Sequence, residues 1–107
     1  MTMSDNRKYH VIISDRAKRM LGEHLRFIAK VSQTAAAKKK KQIMDALRSL
    51  SEMPQRFPFF EDMYITKNLY HKMYIDKWYI VLFQIKDDTV EVDYILDCRK
   101  DYDWLIR

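Results

Sequence analysis

The sequence predicts an α+β fold in which a curved antiparallel sheet, with elements in the order β-α-α-β-β-β, is packed on one face by a helical hairpin. Three observations lead to this prediction. Residues 8–14 form a short β-type run near the start of the chain. Two long stretches with helical periodicity follow it. Residues 69–106 then hold three apolar, β-branched and aromatic runs separated by two short polar breaks, which is typical of a three-strand meander.

The first run carries apolar side chains on both of its faces. Tyr9, Val11 and Ile13 alternate with His10 and Ile12. A strand of this kind is covered on both sides, so we expect it to join the meander in one sheet.

The two helical stretches are bounded by recognisable signals. Ser14 and Asp15 supply an N-cap and a first-turn acid, and the first helix is predicted to run to about residue 32. Thr34 is the expected cap of the second helix, which stops before Pro54. The link between them is short, so the helices should form an antiparallel hairpin. The inward positions share three- and four-residue spacing: Ala17, Met20, Leu21, His24, Leu25, Ile28 and Val31, then Ala36, Ile43, Met44, Leu47, Leu50 and Met53.

The residue pattern of the meander predicts a sheet with one face covered by the hairpin and one face partly open. Strict alternation along the three strands places mainly apolar residues on the first face. The open face would carry the polar and aromatic positions Tyr70, Lys72, Tyr74, Glu91, Asp93 and Asp97.

Length and composition indicate a single domain, residues 1–107, that is soluble and cytoplasmic. No run approaches the roughly 20 apolar residues of a membrane span, and we expect no membrane partner. The single cysteine, Cys98, excludes an internal disulfide and a cysteine-rich zinc site. The formal charge of +5 and the pI near 9.3 favour an anionic partner. Four consecutive lysines, Lys38 to Lys41, add to that field, whether as a binding patch or simply as a solvated helix face.

Motifs for common catalytic chemistry are missing from the sequence. One glycine cannot build a phosphate-cradling loop, and no helix carries a pair of histidines spaced for a metal. No serine or cysteine lies in a nucleophile-elbow context. We therefore expect no metal and no cofactor.

What remains is a basic and aromatic set near the meander. Its members are Arg56, Lys67, His71, Lys72, Arg99, Lys100, Tyr102 and Trp104. Nucleic-acid binding needs cations for phosphates and flat rings for bases. Metal-independent RNA cleavage needs a base, an acid and a cation on the phosphorane.

Trp104 is expected to pack onto the core, and the other seven residues have predicted roles in RNA cleavage or binding. His71 or Tyr102 would move protons, and Arg99 would hold the phosphate. Lys67, Lys72, Lys100 and Arg56 would bind RNA. The alternative for His71 is a hydrogen-bonded core histidine, because it shares a strand face with apolar neighbours. The loop over residues 54–68 is either functional or a plug for the sheet edge.

Three segments of the last third resemble the RelE/ParE superfamily of toxins from bacterial toxin–antitoxin systems. Residues 70–73 read Tyr-His-Lys-Met, residues 79–83 read Tyr-Ile-Val-Leu-Phe, and residues 95–102 end in Arg-Lys-Asp-Tyr. They are similar to that family's "YRK" strand, its second basic strand and its closing "RRDY" signature. The order of elements matches over nearly the whole chain.

The resemblance implies a growth-inhibiting toxin that a small acidic antitoxin wraps and neutralises. RelE-like members cleave mRNA in the ribosomal A site, and ParE-like members instead poison DNA gyrase. Arg99 matches the arginine of the cleaving branch, and Tyr102 matches the tyrosine of the closing signature. Three positions depart from the pattern: His71 replaces a lysine or arginine, Ile80 replaces an arginine, and Leu105 stands where the cleaving branch has its catalytic aromatic residue.

Three functions follow as hypotheses. The first is a metal-independent endoribonuclease that cuts ribosome-bound mRNA, with the ribosome, mRNA and antitoxin as partners. The second is a non-enzymatic inhibitor of DNA gyrase. The third is a protein-binding module without toxicity.

Overall fold

The computed structural model describes residues 8–98 and confirms the predicted fold class. The elements are β1 (His10–Ile13), α1 (Asp15–Ala29), α2 (Gln33–Arg48), β2 (His71–Ile75), β3 (Tyr79–Lys86) and β4 (Thr89–Asp97). Two short 3-10 turns, Ser49–Ser51 and Pro54–Arg56, follow α2.

The sheet has four strands in the order β1-β4-β3-β2. The meander β2-β3-β4 is antiparallel, as predicted. The first strand joins it as expected, but it does so in parallel to β4, with Val11 opposite Val90, so the sheet as a whole is mixed. Asp76 and Asp87 turn the chain between the strands with φ values of 55° and 56°, a region that aspartate tolerates better than most residues.

Serine side chains begin both helices. Ser14 Oγ accepts a hydrogen bond from the Ala17 amide at 3.0 Å, which confirms the predicted first cap. The second cap is Ser32, whose Oγ accepts from the Ala35 amide at 3.1 Å. The predicted cap, Thr34, therefore lies inside the first turn of α2.

The main core lies between the hairpin and one face of the sheet. Leu21 from α1 and Ile43 and Leu47 from α2 point into it. The strands contribute Met73, Ile75, Tyr79, Val81, Phe83, Val90, Val92 and Ile95. The i and i+4 spacing of the helical residues explains why both helices direct one stripe toward the sheet.

Helix α1 also covers the edge of β4 that β1 leaves open. Strand β1 pairs only with Thr89–Val92, so the carbonyls of Asp93 and Ile95 face outward. The Arg16 Nε–H donates to the Asp93 carbonyl at 3.2 Å, and His24 Nε2 lies 2.8 Å from the Ile95 carbonyl. Side chains of α1 thus satisfy backbone acceptors that a neighbouring strand would otherwise use.

A β-bulge at Asp93 reverses the alternation of β4. Leu82 pairs with Tyr94, but the next residue, Phe83, pairs with Val92, so Asp93 has no partner across the ladder. After the bulge, Ile95 faces the main core and Leu96 faces the opposite side. The prediction that Asp97 lies on the open face is wrong for this reason, and Asp97 is buried.

The opposite face is not open along its centre. A second apolar cluster covers it, made of Phe60, Tyr70, Ile80, Leu82 and Leu96. Phe60 comes from the long loop, and its amide donates to the Tyr70 carbonyl at 2.7 Å. Phe60 therefore packs back on the sheet, as in the plug alternative of the two that the sequence left open. Of the positions expected to be exposed, Tyr74 is exposed and Tyr70 is buried.

No helix within residues 8–98 is both long and apolar enough to cross a membrane.

The second cluster makes a quantitative prediction. Ile80 is fully buried, with 0% of its surface exposed, so Ile80→Ala should lower the free energy of unfolding by about 2–5 kcal/mol through lost contacts and a new cavity. The matched control is Ile12→Ala, since Ile12 is 52% exposed and should lose less than about 1 kcal/mol. Urea denaturation measures both. Equal losses would contradict the burial of Ile80.

Candidate functional site

His71 lies on the hairpin-facing side of β2 and is held there by its neighbours. Its Nδ1 is 2.8 Å from the Phe57 carbonyl, a separation at which the ring N–H donates. The ring also contacts Phe59 and Phe83, with centroid distances of 4.2 and 5.3 Å. This half-buried, hydrogen-bonded position corresponds to the core-histidine alternative of the sequence analysis.

Lys72 lies on the opposite face of the same strand. Successive residues of a strand point to opposite sides, so Lys72 and His71 cannot meet at one phosphate. Lys72 is half-buried, and its Nζ is 5.8 Å from the ring centroid of Tyr74.

Arg56 lies at the second 3-10 turn and caps the segment before it. Its guanidinium donates to the Glu52 carbonyl and, at 3.2 Å, to the Met53 carbonyl. It also stacks over the Phe57 ring at 4.5 Å. These contacts stabilise the segment that follows α2.

Lys67 is exposed in the long loop. It lines a cavity of about 430 Å³ together with Glu61, Asp62, Met63 and Ile65. Two acids at this cavity offset its charge, so the loop does not form a strongly cationic surface.

The remaining predicted site residues, Arg99, Lys100 and Tyr102, lie outside the described residues. The described chain reaches Cys98, whose amide donates to the Trp78 carbonyl at 2.7 Å. Among the predicted residues that the structure describes, Arg56, Lys67, His71 and Lys72 occupy four separate environments.

The structure reveals a surface that the sequence analysis did not single out, which we call the tip groove. It has a volume of about 390 Å³ and lies between the bend of the hairpin and the β2–β3 turn. Its lining residues are Phe27, Ile28, Val31, Ser32, Ala35, Lys39, Asp76, Trp78 and Tyr79. Large apolar side chains are exposed here: Phe27 by 58%, Val31 by 90% and Trp78 by 45%.

An ion pair fixes one wall of the tip groove. Lys39 from α2 pairs with Asp76, and Gln42 Nε2 donates to the same carboxylate at 2.8 Å. These two hydrogen bonds, that of Lys39 first, hold the pKa of Asp76 below its usual value. The pair holds α2 to the β2–β3 turn, so this wall of the groove is rigid.

The sequence held a partial signal for this groove. Phe27 falls outside the inward stripe of α1, so the helical spacing places an aromatic side chain on the solvent-facing side of the helix. Val31 was predicted to face the core, but α1 ends at Ala29, so Val31 lies in the bend and is exposed.

A polar network holds the bulge on the second face. The Tyr70 hydroxyl donates to Asp93 Oδ2 at 3.0 Å, and Gln84 Nε2 donates to the same oxygen at 2.9 Å. Burial of the phenol, reinforced by the adjacent carboxylate, raises the pKa of Tyr70 to about 12. Tyr70 is thus a hydrogen-bond donor that stays protonated, and its role is to position the bulge.

The architecture described so far defines a small α+β protein in which a helical hairpin packs on a four-stranded sheet. Its fold is shared with a solved chain described as the chromosomal ParDE TA system from P. aeruginosa. The TM-score is 0.68 at 11% sequence identity, over 85% of this chain and 97% of that one. No curated protein matches the sequence significantly.

A family model described as the ParE toxin of the type II toxin–antitoxin system, parDE, matches residues 11–102. The chain therefore belongs to the ParE toxin family, which confirms the resemblance found in the sequence. It is the toxin of a type II system, and membership implies a cognate antitoxin as a partner.

The raised pKa of Tyr70 predicts that the folded protein loses stability at alkaline pH. The phenol in the unfolded chain titrates near pH 10, but in the folded chain it titrates near 12. The unfolded state therefore loses its proton first, and stability falls as pH rises from 10 toward 12, by about 1 kcal/mol per pH unit. Urea denaturation from pH 8 to 11.5 measures this slope. Tyr70→Phe should show a smaller slope than the native chain, because only that phenol is removed. Identical slopes would contradict the shift.

Proposed function

We propose that this protein inhibits DNA gyrase by binding to it, without carrying out a reaction of its own. Membership of the ParE family supports this proposal, since ParE-like members act on gyrase. The observation that carries it is the burial of Ile80. The position where the cleaving branch has an arginine is here the fully buried centre of an apolar cluster.

The positions of the other predicted catalytic residues also support a binding function rather than RNA cleavage. RNA cleavage without metal requires a base, an acid and a cation within hydrogen-bond reach of one phosphate. His71 and Lys72 point to opposite sides of β2, and the Nδ1 of His71 is engaged with the Phe57 carbonyl. Within residues 8–98, the predicted catalytic and RNA-binding side chains do not converge.

A binding inhibitor needs exposed anchors on a rigid base, and the tip groove offers them. Exposed Phe27 and Trp78 supply apolar area of the kind that dominates binding energy at interfaces. The Lys39–Asp76 pair limits the conformational entropy that binding would cost. We propose the tip groove as the contact surface for gyrase.

The direct test is a supercoiling assay with purified gyrase, relaxed plasmid and the full-length toxin. We expect inhibition that rises with toxin concentration and that the cognate antitoxin reverses. Cells in which the toxin is induced should show a DNA damage response while their mRNA stays intact. Cut mRNA with normal supercoiling would instead favour the endoribonuclease function, and Arg99→Ala would then be the variant that abolishes cleavage.

The tip groove makes its own prediction. Trp78→Ala should weaken gyrase inhibition by about tenfold or more, as expected when an interface anchor is truncated. The control is Tyr64→Ala, which removes an exposed aromatic from the long loop, away from the groove. Inhibition curves for the folded variants, checked by circular dichroism, give the comparison. If Tyr64→Ala were the more harmful change, the groove would not be the contact surface.

A further inference from the structure

Charge is divided unevenly between the two halves of this fold. Residues 15–48, which form the hairpin, hold ten lysines and arginines and three acids, a formal charge of +7. Residues 49–98, which include the meander, hold five cations and nine acids, a formal charge of −4. The net charge of +5 thus understates a strongly cationic helical side.

The hairpin cations form rows that point away from the sheet. On α1, Leu21 and His24 face inward, so helical spacing places the following residues on the outer side: Arg19, Glu23, Arg26 and Lys30. On α2, Ile43 and Leu47 face inward, and the outer side carries Lys38, Lys41, Asp45 and Arg48. All eight outer residues are exposed. Both helices pack on the same core cluster, so the two rows share one face of the protein.

Few acids neutralise this face. Asp45 alone is shared between Lys41 at 3.0 Å and Arg48 at 2.6 Å, and the hydrogen bond from Lys41 is the main reason that its pKa is lowered. Within residues 8–98, Arg26, Lys30 and Lys38 form no ion pair. Their charge is therefore available to a partner.

We propose that the outer face of the hairpin binds the phosphate backbone of duplex DNA. The inference rests on the proposed function, because a gyrase inhibitor acts where duplex DNA is held. Helices of 15 and 16 residues are about 22–24 Å long, so the two rows can follow several successive phosphates.

The surface between the cations fits a duplex better than other polyanions. Ala37 is exposed beside Lys38, and α2 carries no aromatic side chain, so its outer face has no flat rings. Single-stranded RNA would require rings for base stacking, and an acidic peptide would need apolar anchors. The exposed rings of this region, Phe27 and Trp78, line the tip groove instead.

The acidic half of the molecule would orient the complex. Like charges repel, so the meander side, at −4, is directed away from DNA when the hairpin side approaches it. The tip groove lies at the bend of the hairpin, where it can contact a protein that holds the same duplex.

The test measures binding of the full-length toxin to a fluorescein-labelled 20-base-pair duplex by anisotropy, over a range of salt concentrations. The variant is Lys30→Gln with Lys38→Gln, on the hairpin face. The control is Lys77→Gln with Lys86→Gln, which lowers the net charge equally but in the meander, at the β2–β3 turn and at the end of β3. We expect the hairpin variant to bind at least about tenfold more weakly at 0.1 M salt, with a salt slope about two units shallower. The control should stay within about twofold of the native toxin.

Three results would overturn the proposal. In the first, the native toxin does not bind the duplex at low salt. In the second, the hairpin variant and the control variant lose the same affinity for the duplex. In the third, the hairpin variant loses affinity only for a labelled single-stranded RNA or for polyglutamate. Gyrase inhibition is measured separately on the native toxin. Loss of DNA binding in the hairpin variant supports DNA binding by the hairpin, whatever the gyrase assay gives. If the native toxin inhibits gyrase but does not bind DNA, DNA binding by the hairpin is refuted and the proposed inhibition of gyrase stands.

Discussion

The contact between α1 and the open edge of β4 is the constraint on which the rest of this structure depends. Strand β1 covers only the first half of β4, and Arg16 and His24 bond to the carbonyls of Asp93 and Ile95 beyond it. This contact sets the position of the hairpin over the sheet, and with it the outer row of cations and the tip groove. It also removes a sheet edge on which another chain could pair.

Much of the fold could be predicted from the sequence, because strand and helix periodicities are local properties. The extra residue at Asp93 could not, since alternation alone does not reveal where a ladder loses register. Asp97 was therefore predicted on the wrong face of the sheet. The site was predicted less well. Sequence analysis grouped His71 with Lys72 by residue type, although neighbours in a strand point apart. The tip groove depends on the approach of the hairpin bend to the β2–β3 turn, and that approach is long-range.

The two sides of the sheet show how one fold can serve catalysis or binding. The centre of the face opposite the hairpin includes position 80, where the resemblance to the cleaving branch predicts an arginine. Here that centre holds Ile80, Leu82 and Leu96, sealed by Phe60 from the loop. The positive charge is concentrated instead on the helices, and the exposed rings of Phe27 and Trp78 line the groove at their bend. Such an arrangement suits a protein that recognises a large surface rather than a single scissile bond.

The parallel pairing of β1 with β4 has a consequence for how the toxin is made. Val11 pairs with Val90, so β1 finds its partner only after the hairpin and the rest of the meander have been translated. The hairpin can form early, but the sheet that positions it cannot close while β4 is still inside the ribosome. A nascent or truncated chain would therefore lack the assembled toxin surface. This delay would give an antitoxin already present in the cell time to meet each new toxin molecule as it folds.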